Sequence, residues 1–269
     1  MKNIKKIFVS IISALMILSL VGCGSSTSTS QSAQPTKEEK PVTLNISAAA
    51  SLKDAMGDIQ KEYAKSKPNV TLTINFGASG TLEQQIIQGA PCDLFISAAS
   101  KQVDDLKSKS LLVDDSVVNF LGNKIVLIVP KDKSDVTGFD DLTTDKVKKL
   151  AVGEPKSVPV GQYSLEIFKN KNITDKVQSK EVLGKDVKEV LSYVETGNAD
   201  AGLVYETDAK TSDKVKVVAT ADESTHSPVV YPMAIIKASQ NVDDTKAFQK
   251  FLQGDKAKKI FEKYGFSVK

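Results

Sequence analysis

Residues 46–56 read ISAAASLKDAM. An apolar run that alternates like a β-strand from Val42 onward meets a run with helical spacing that continues to Tyr63, and only alanines and one serine separate the two. The junction predicts a strand that turns directly into a helix. The small residues leave space around that turn.

The same succession of strand and helix recurs along the chain and predicts an α/β protein with parallel sheets. The triplet Leu121-Gly122-Asn123 precedes a longer apolar run, KIVLIV at 124–129, which indicates the start of a second sheet. Two lobes also suit the length, since 269 residues less the first 22 leave 247. We predict further strands at 70–76, 93–97, 150–152, 201–205, 215–218 and 229–236, and helices near 52–63, 82–87, 101–108, 161–169 and 187–195, with two more helices at the end of the chain.

The first 22 residues are predicted to be a cleaved lipoprotein signal. Three lysines precede an uncharged apolar stretch at 7–21, and Leu20-Val21-Gly22-Cys23 fits the bacterial lipoprotein box, in which the cysteine is acylated and becomes the mature N-terminus. The apolar stretch is short for a membrane-spanning helix, which is the alternative. Residues 23–41 are expected to be a flexible tether, lipid-anchored through Cys23 on the outer face of the bacterial cytoplasmic membrane.

Composition argues against some partners and restricts the kind of anion site. Residues 1–22 hold three of the 36 basic residues and no acid, so 33 cations face 33 anions in the remainder. This balance, without any basic block, argues against a nucleic-acid partner. Every basic residue is a lysine, and arginine is the usual bidentate clamp for carboxylates and phosphates. Any anion site must therefore use other donors.

Cysteine and histidine are too few for several kinds of site. If Cys23 is acylated, Cys92 has no partner for a disulfide and is expected to be a small buried apolar residue. His226 is the one histidine of the sequence. A histidine-based catalytic triad or a multi-histidine metal site is therefore excluded or nearly so.

Predicted helix starts coincide with small residues in the first half of the chain. Ser51 is placed to be the N-cap of a helix that begins at Leu52, and the N–H groups and dipole of such a start favour an anion. In NFGASGTL (75–82), a strand ends at glycines, a helix begins near Thr81, and Ser79 offers both a hydroxyl and an N–H. A plain cap at Ser51 and a flexible turn capped by Thr81 are the alternatives without a ligand.

Three positions in the second half of the chain extend the pattern. Val160 stands between a proline and a glycine at a predicted helix start, where its N–H matters and its side chain is nearly free to vary. Asp186 is predicted to be an N-cap before Val187, and Tyr205 ends a short apolar strand from which its phenol could point into a cleft. Core packing is the alternative for each position. Together with the absence of arginine, they indicate an anion held by neutral dipoles.

Five segments then occur in order: AAASLKDAM, FGASGTLEQQI with GAPCDLFIS, AVGEPKSVPVGQY, DVKEVLSYVE and IFEKYGFSVK. In this combination the chain, from about residue 42 to 269, resembles the periplasmic molybdate-binding proteins of ABC importers. The resemblance implies the two-lobed type II periplasmic-binding-protein fold, each lobe a mixed, mostly parallel sheet flanked by helices, with the ligand in the cleft between the lobes. One lobe would hold residues 42–120 plus 230–269, and the other residues 121–229.

The resemblance also assigns the residues that bind the oxyanion. Ser51 and Ser79 of the first lobe would donate hydroxyl and N–H groups. From the second lobe, Val160 and Val187 would donate only N–H groups, and Tyr205 its phenol. The ligand, molybdate or tungstate, would be held as an oxyanion with no direct metal ligand and no cofactor. The chain has valine at 160 where many members have alanine, and Gly-Ala-Ser-Gly where the family has a serine run, but neither departure removes a donor.

The implied protein is a monomeric receptor, not an enzyme, that delivers molybdate and tungstate to an ABC transporter permease. A pocket made mainly of donors should discriminate against hydrogen phosphate, whose proton needs an acceptor. One alternative is the same fold binding sulfate or another tetrahedral oxyanion. A hydrolase with Ser51 or Ser79 as nucleophile and His226 as its base is another, and a purely structural surface lipoprotein is a third.

Overall fold

The computed structural model describes residues 40–132 and 135–269. The predicted signal at 1–22, Cys23, and all but the last two residues of the predicted tether lie outside the described residues. In the described ranges, no helix combines the length and apolar character needed to cross a membrane. Every strand and helix given below belongs to one compact unit that begins at residue 39.

Eleven strands occur in the described residues and form two sheets. In chain order they are β1 (Val42–Ala49), β2 (Val70–Gly77), β3 (Leu94–Ile96), β4 (Val118–Gly122), β5 (Ile125–Pro130), β6 (Leu150–Gly153), β7 (Glu181–Gly184), β8 (Ala201–Tyr205), β9 (Val215–Thr220), β10 (Val230–Ile235) and β11 (Ser267–Val268).

Sheet I has the strand order β11-β4-β10-β3-β1-β2, and sheet II has the order β7-β6-β8-β5-β9. Strand β1 pairs in parallel with β2 and β3, and β6 pairs in parallel with β7 and β8. The other pairings involve β5, β10 or β11 and are antiparallel. The mixed sheets implied by the resemblance are therefore observed, whereas the parallel sheets predicted from the strand–helix succession are wrong at these three strands, because apolar periodicity carries no information on strand direction.

The chain crosses between the sheets twice. Residues 123–124 join β4 of sheet I to β5 of sheet II, and residues 221–229 join β9 to β10. Sheet I takes its strands from 42–122 and 230–268, and sheet II takes its strands from 125–220. The predicted lobe boundaries at residues 120 and 229 stay a prediction.

Nine α-helices connect and cover the strands of the described residues. They are α1 (Lys53–Ser66), α2 (Ser79–Ile87), α3 (Ser100–Ser108), α4 (Pro159–Asn170), α5 (Thr174–Val177), α6 (Val187–Glu195), α7 (Glu206–Lys210), α8 (Val242–Leu252) and α9 (Asp255–Lys263). Helices α1, α2, α3, α8 and α9 contact sheet I, and α4, α6 and α7 contact sheet II. In α1 the buried residues are the apolar ones at helical spacing, from Ala55 to Tyr63.

The predicted N-cap role of Ser51 is wrong. Ser51 lies inside a 3-10 turn, Ala50–Leu52, which leads into α1, and the N-cap of α1 is Leu52 without a side-chain hydrogen bond. The Ser51 Oγ lies 2.9 Å from the Tyr231 hydroxyl instead. A tertiary contact therefore uses the hydroxyl that the local pattern had assigned to the backbone.

Of two other predicted helix starts near the site, one is wrong and one is confirmed. Helix α2 begins at Ser79 rather than near Thr81, because Ala78 is the last residue with extended backbone. Thr81 is therefore not a cap. The prediction for Asp186 is confirmed, since its carboxylate accepts a hydrogen bond from the Glu189 N–H at 3.0 Å and α6 begins at the next residue.

Buried apolar side chains of both sheets form one continuous core, and a smaller cluster lies beneath α2 and α3. Cys92 belongs to the smaller cluster and is 7% exposed, which confirms its reading as a buried apolar residue. Burial raises the pKa of its thiol to about 11. Because the thiolate is the reactive form, the Cys92 thiol is inert near neutral pH.

Candidate functional site

A small cavity lies at the carboxyl ends of parallel strands from both sheets. Its lining follows β1, β2 and β3 of sheet I and β6, β7 and β8 of sheet II, which is where open α/β sheets bind ligands. The space open to the centre of a water molecule is about 10 Å³, close to what a single bound water needs. The cavity therefore suits a small ion rather than an organic ligand. The five residues assigned by resemblance all line it: Ser51, Ser79, Val160, Val187 and Tyr205.

Helix starts aim backbone donors at the cavity. Ser79 and Val187 are the first residues of α2 and α6, and Val160 is the second residue of α4. The N–H groups of a first turn have no acceptor within their own helix, and the helix dipole gives them added positive character. Three helices therefore present donors to one small space, which is a favourable arrangement for an anion.

The start of α4 depends on a proline and a glycine. Pro159 occupies the first helical position, where its missing N–H costs no hydrogen bond, and the N–H of Val160 follows. A Cβ at Gly161 would lie 2.1 Å from the Gly153 carbonyl oxygen, so glycine is needed for α4 to approach β6 this closely. The Val160 side chain is fully buried in the core. The exchange of alanine for valine is thus absorbed by the core.

The hydroxyl of Ser79 is held so that its proton is free to donate. Its Oγ accepts a hydrogen bond from the Ala98 N–H at 3.0 Å, and the residue is 1% exposed. A serine hydroxyl that accepts from the backbone can still donate its own proton. Both residues line the cavity, so that proton can be directed toward a bound anion.

Tyr205 ends β8 with a buried phenol. The residue is 1% exposed, and its hydroxyl has no hydrogen-bond partner among the described residues. Burial raises the pKa of this phenol well above its usual value, so it keeps its proton at physiological pH. A buried hydroxyl without a partner is costly, and a ligand that accepts its proton would remove that cost.

The cavity is lined by neutral groups apart from one carboxylate. In the described part of the chain, neither a lysine nor a histidine lines it. The carboxylate is that of Asp186, whose Oδ1 accepts a hydrogen bond from the N–H of Glu189. Four alanines and one glycine at 49–50, 77–78 and 98, together with Val158 and Pro159, complete the wall. The electrostatic character of the site therefore comes from backbone and hydroxyl dipoles.

Contacts between the half of the molecule that contains sheet I and the half that contains sheet II surround the cavity. The Gly80 N–H at the start of α2 donates to the Ser157 carbonyl at 2.9 Å. Lys188, next to Val187 in α6, places its Nζ 2.7 Å from an Asp54 oxygen at the start of α1. The described arrangement is accordingly closed around the cavity.

His226 is not part of the site. It does not line the cavity, and its Nδ1 lies 2.7 Å from the Ser227 carbonyl oxygen. Its ring packs edge-on against Tyr163. A base for a nucleophilic Ser51 or Ser79 is therefore not supplied by the one histidine of the sequence.

Two residues behind the cavity were missed by sequence reasoning. Tyr231 in β10 contacts the Ser51 hydroxyl, and Asn123 in the first crossing contacts Tyr231. Tyr231 belongs to the apolar stretch VVYPMAII, whose pattern indicates only a buried strand. No local signal in the sequence relates either residue to Ser51, because the contacts are entirely tertiary.

Comparison with known sequences gives a family and named relatives. A family model described as bacterial extracellular solute-binding protein matches residues 44–267. YvgL of Bacillus subtilis, provisionally named an ABC transporter substrate-binding lipoprotein, is 46% identical over 97% of this chain and 97% of its own length. The molybdate-binding protein ModA of Haemophilus influenzae is 40% identical over 84% of this chain and 90% of its own length.

Solved structures give the fold. The substrate-binding domain of a provisionally assigned molybdenum ABC transporter from Clostridium difficile is 56% identical, covers 84% of this chain and 98% of that chain, and has a TM-score of 0.67. The periplasmic molybdate-binding protein of Azotobacter vinelandii is 22% identical, covers 84% of this chain and 99% of that chain, and has a TM-score of 0.75. The predicted two-lobed type II periplasmic-binding-protein fold is confirmed by these likenesses.

Proposed function

The chain belongs to the bacterial extracellular solute-binding protein family, and we propose that it is the receptor that binds molybdate outside the cytoplasm and delivers it to an ABC transporter. The family consists of substrate-binding proteins rather than enzymes. The convergence of neutral donors on one small cavity without a lysine or histidine in its described lining carries the proposal. The molybdate-binding relative and the molybdenum-transporter domain support the choice of ligand.

In the proposed complex, each lining residue contributes a donor to the oxyanion. Ser51 and Ser79 donate hydroxyl and N–H protons, Val160 and Val187 donate N–H protons, and Tyr205 donates its phenolic proton. Hydrogen bonds to charged groups contribute about 1.5–3 kcal/mol each, so several convergent donors offset much of the dehydration cost of a dianion. Molybdate, and equally tungstate, is held as an oxyanion with no protein ligand on the metal.

The donor set also determines which anions are rejected. Molybdate, tungstate and sulfate carry no proton near neutral pH, whereas hydrogen phosphate must place one against an acceptor. The five proposed residues offer hydrogen atoms only, and the Asp186 carboxylate in the lining already accepts from the Glu189 N–H. The proton of a bound hydrogen phosphate would therefore have no acceptor among the proposed ligands. Sulfate meets the same donors and differs from molybdate in size alone.

We further propose that the protein works as a clamp with lobes at 42–120 plus 230–269 and at 121–229. Ser51 and Ser79 bind the anion from one lobe, and Val160, Val187 and Tyr205 bind it from the other. A ligand that bridges both lobes stabilises the closed state through contacts that the open state lacks. The permease would then recognise the closed, monomeric form.

The receptor is proposed to stay near its permease through a lipid on Cys23. The family is extracellular, and the relative YvgL is provisionally named a lipoprotein. Acyl chains on Cys23 would hold the protein on the outer face of the cytoplasmic membrane; two or more chains anchor firmly, whereas one binds weakly. Labelling of cells with a radioactive fatty acid should mark the parent chain and leave a Cys23→Ser variant unmarked.

Calorimetric titration tests the ligand. The chain from residue 24 onward, which contains every described element, is titrated with molybdate, tungstate, sulfate and phosphate. We expect tight one-to-one binding of molybdate and tungstate, weaker binding of sulfate and no heat with phosphate. Ser51→Ala and Ser79→Ala should each weaken molybdate binding.

Each other outcome assigns a different function. Sulfate that binds as tightly as molybdate, or more tightly, would make the protein a sulfate receptor of the same fold. A folded chain that gives no heat with any of the four anions would exclude the oxyanion receptor altogether.

A further inference from the structure

A chain of hydrogen bonds reaches Ser51 from the first crossing between the sheets. Asn123 stands in that crossing, and its Oδ1 accepts a hydrogen bond from the Lys124 N–H at 2.9 Å. Its Nδ2 lies 2.8 Å from the Thr207 Oγ1 and 3.3 Å from the Tyr231 hydroxyl oxygen. Because the backbone N–H of Lys124 can only donate, the amide orientation of Asn123 is fixed and its Nδ2 must donate to both hydroxyls.

Tyr231 passes this polarity on to Ser51. Its hydroxyl accepts from Asn123, and among the described residues the Ser51 Oγ at 2.9 Å is the one acceptor within reach of its proton. Donation from Tyr231 to Ser51 therefore leaves no buried hydroxyl proton unpaired. Tyr231 is fully buried, and its ring packs edge-on against Phe266 and Tyr205 with centroids 5.4 and 5.8 Å away. The phenol is therefore rigidly held, and rotation of its hydroxyl is restricted by partners on both sides.

The direction of these hydrogen bonds decides whether Ser51 donates or accepts in the cavity. A serine hydroxyl can donate or accept, and its rotor normally suits whichever partner arrives. When the Ser51 Oγ accepts from Tyr231, its own proton is what remains to face the cavity. The same logic holds at Ser79, whose Oγ accepts from the Ala98 N–H.

We infer that Tyr231 and Asn123 are positioning residues that fix Ser51 as a hydrogen donor and so set the preference of the site for anions without a proton. The inference rests on the proposed function. It assigns selectivity to residues that do not touch the ligand: Tyr231 and Asn123 are absent from the cavity lining and act through the Ser51 hydroxyl.

Tyr231→Phe removes the donor to Ser51 and leaves the ring packing in place. The Ser51 lone pairs are then free to accept the proton of hydrogen phosphate, and its own proton is no longer directed. We expect molybdate affinity to fall about tenfold, and phosphate, which gives no heat with the parent chain, to give a measurable heat of binding. Calorimetry at mildly alkaline pH compares two dianions, because phosphate then carries two charges and one proton.

A double-mutant cycle separates positioning from packing. If Tyr231 acts through Ser51, Tyr231→Phe should change neither affinity nor selectivity in a Ser51→Ala background. Tyr264→Phe is the matched control, because it removes a hydroxyl that donates to Asp58 at 3.0 Å and leaves the cavity lining unchanged. This control should bind like the parent chain.

Asn123→Asp independently tests the direction of the hydrogen bonds from Asn123 through Tyr231 to Ser51. A carboxylate at 123 accepts from Tyr231, so Ser51 must donate to Tyr231 and present a lone pair to the cavity. The added charge disfavours both dianions, but phosphate should still give the heat of binding that the parent chain lacks.

Effects of Tyr231→Phe that add to those of Ser51→Ala would overturn the inference. The absence of phosphate binding in both Tyr231→Phe and Asn123→Asp would also overturn it. A parent chain that is folded by its thermal melt yet does not bind molybdate overturns the proposed function itself, and the inference with it.

Discussion

At the residue scale, the Tyr205 phenol separates binding from stability. Its hydroxyl is buried and has no hydrogen-bond partner among the described residues, so Tyr205→Phe removes a polar atom that costs folding free energy. We expect an unchanged or slightly higher free energy of unfolding without anion. Molybdate affinity should fall by about 10- to 150-fold, since the lost bond to a charged group contributes about 1.5–3 kcal/mol. Urea unfolding and calorimetry measure the two effects, and a variant that binds molybdate as tightly as the parent contradicts the role of this donor.

The same scale marks what the sequence could yield about the site. The donors at Ser79, Val187 and Tyr205 follow strands or begin helices, so local patterns pointed to them and the resemblance assigned their roles. The partner of Ser51 could not be found in this way, because 180 residues separate it from Tyr231. Nothing in VVYPMAII distinguishes a tyrosine that orients a hydroxyl from one that fills the core.

At the scale of elements, helix starts were predictable where side-chain chemistry is strictly local. Asp186 caps α6 through Glu189, and Pro159 occupies the first position of α4, and both features are written in a few adjacent residues. The start of α1 was not predictable, because a 3-10 turn at Ala50–Leu52 separates strand from helix and the Ser51 hydroxyl contacts Tyr231 of another strand. Strand direction at β5, β10 and β11 was equally hidden, since it depends on which strand each pairs with.

The start of α2 gives a prediction about closure. A Cβ at Gly80 would lie 2.8 Å from the carbonyl oxygen and 2.9 Å from the Cα of Ser157, which is backbone of the opposite half. Gly80→Ala should therefore oppose the closed arrangement without removing any donor, and overpacking of this kind costs about 1–3 kcal/mol. We expect molybdate affinity to fall by about 5- to 150-fold, measured by calorimetry.

Gly57→Ala is the control for that change. Gly57 lies inside α1 with nothing within 4 Å of an added Cβ, so alanine should raise the free energy of unfolding by about 0.5–1 kcal/mol. Its molybdate affinity should match that of the parent chain. If Gly80→Ala binds as tightly as Gly57→Ala, the contact with Ser157 does not belong to the bound state.

At the scale of the whole molecule, one lysine connects the two halves through a buried charge. Lys188 Nζ lies 2.9 Å from Asp208 Oδ1, and Asp208 is fully buried in α7 of the same half. The same Nζ reaches Asp54 of the other half at 2.7 Å. Burial alone would lower the pKa of Lys188, but Asp208 and Asp54 together raise it above its usual value.

The raised pKa gives the sign of the pH dependence. When the pKa of a group is higher in the folded state than in the unfolded state, protonation of that group stabilises the fold. This stabilisation is fully present below the unfolded-state pKa and is lost as pH rises through the folded-state pKa. The lysine thus remains charged through neutral and mildly alkaline pH. Lys188→Met leaves the Asp208 carboxyl, whose pKa burial already raises, without its cation. The free energy of unfolding should fall by about 3–5 kcal/mol in urea titrations at mildly alkaline pH, and by less at lower pH, where this carboxyl takes up a proton.

Asp54→Asn separates closure from that structural role. The Asp54 side chain is 41% exposed, so its pair with Lys188 is partly screened by water and contributes at most about 1 kcal/mol. Asp208 keeps its cation in this variant, and the free energy of unfolding should stay near that of the parent chain.

Molybdate affinity should fall by no more than about fivefold at low ionic strength, and the difference from the parent should shrink as salt is added, because salt screens an exposed pair. Calorimetry in low and high salt measures both effects. A loss of stability as large as that of Lys188→Met would show that Asp54 is needed for folding and not only for closure. An affinity deficit that salt does not reduce would show that the contact acts by shape rather than by charge.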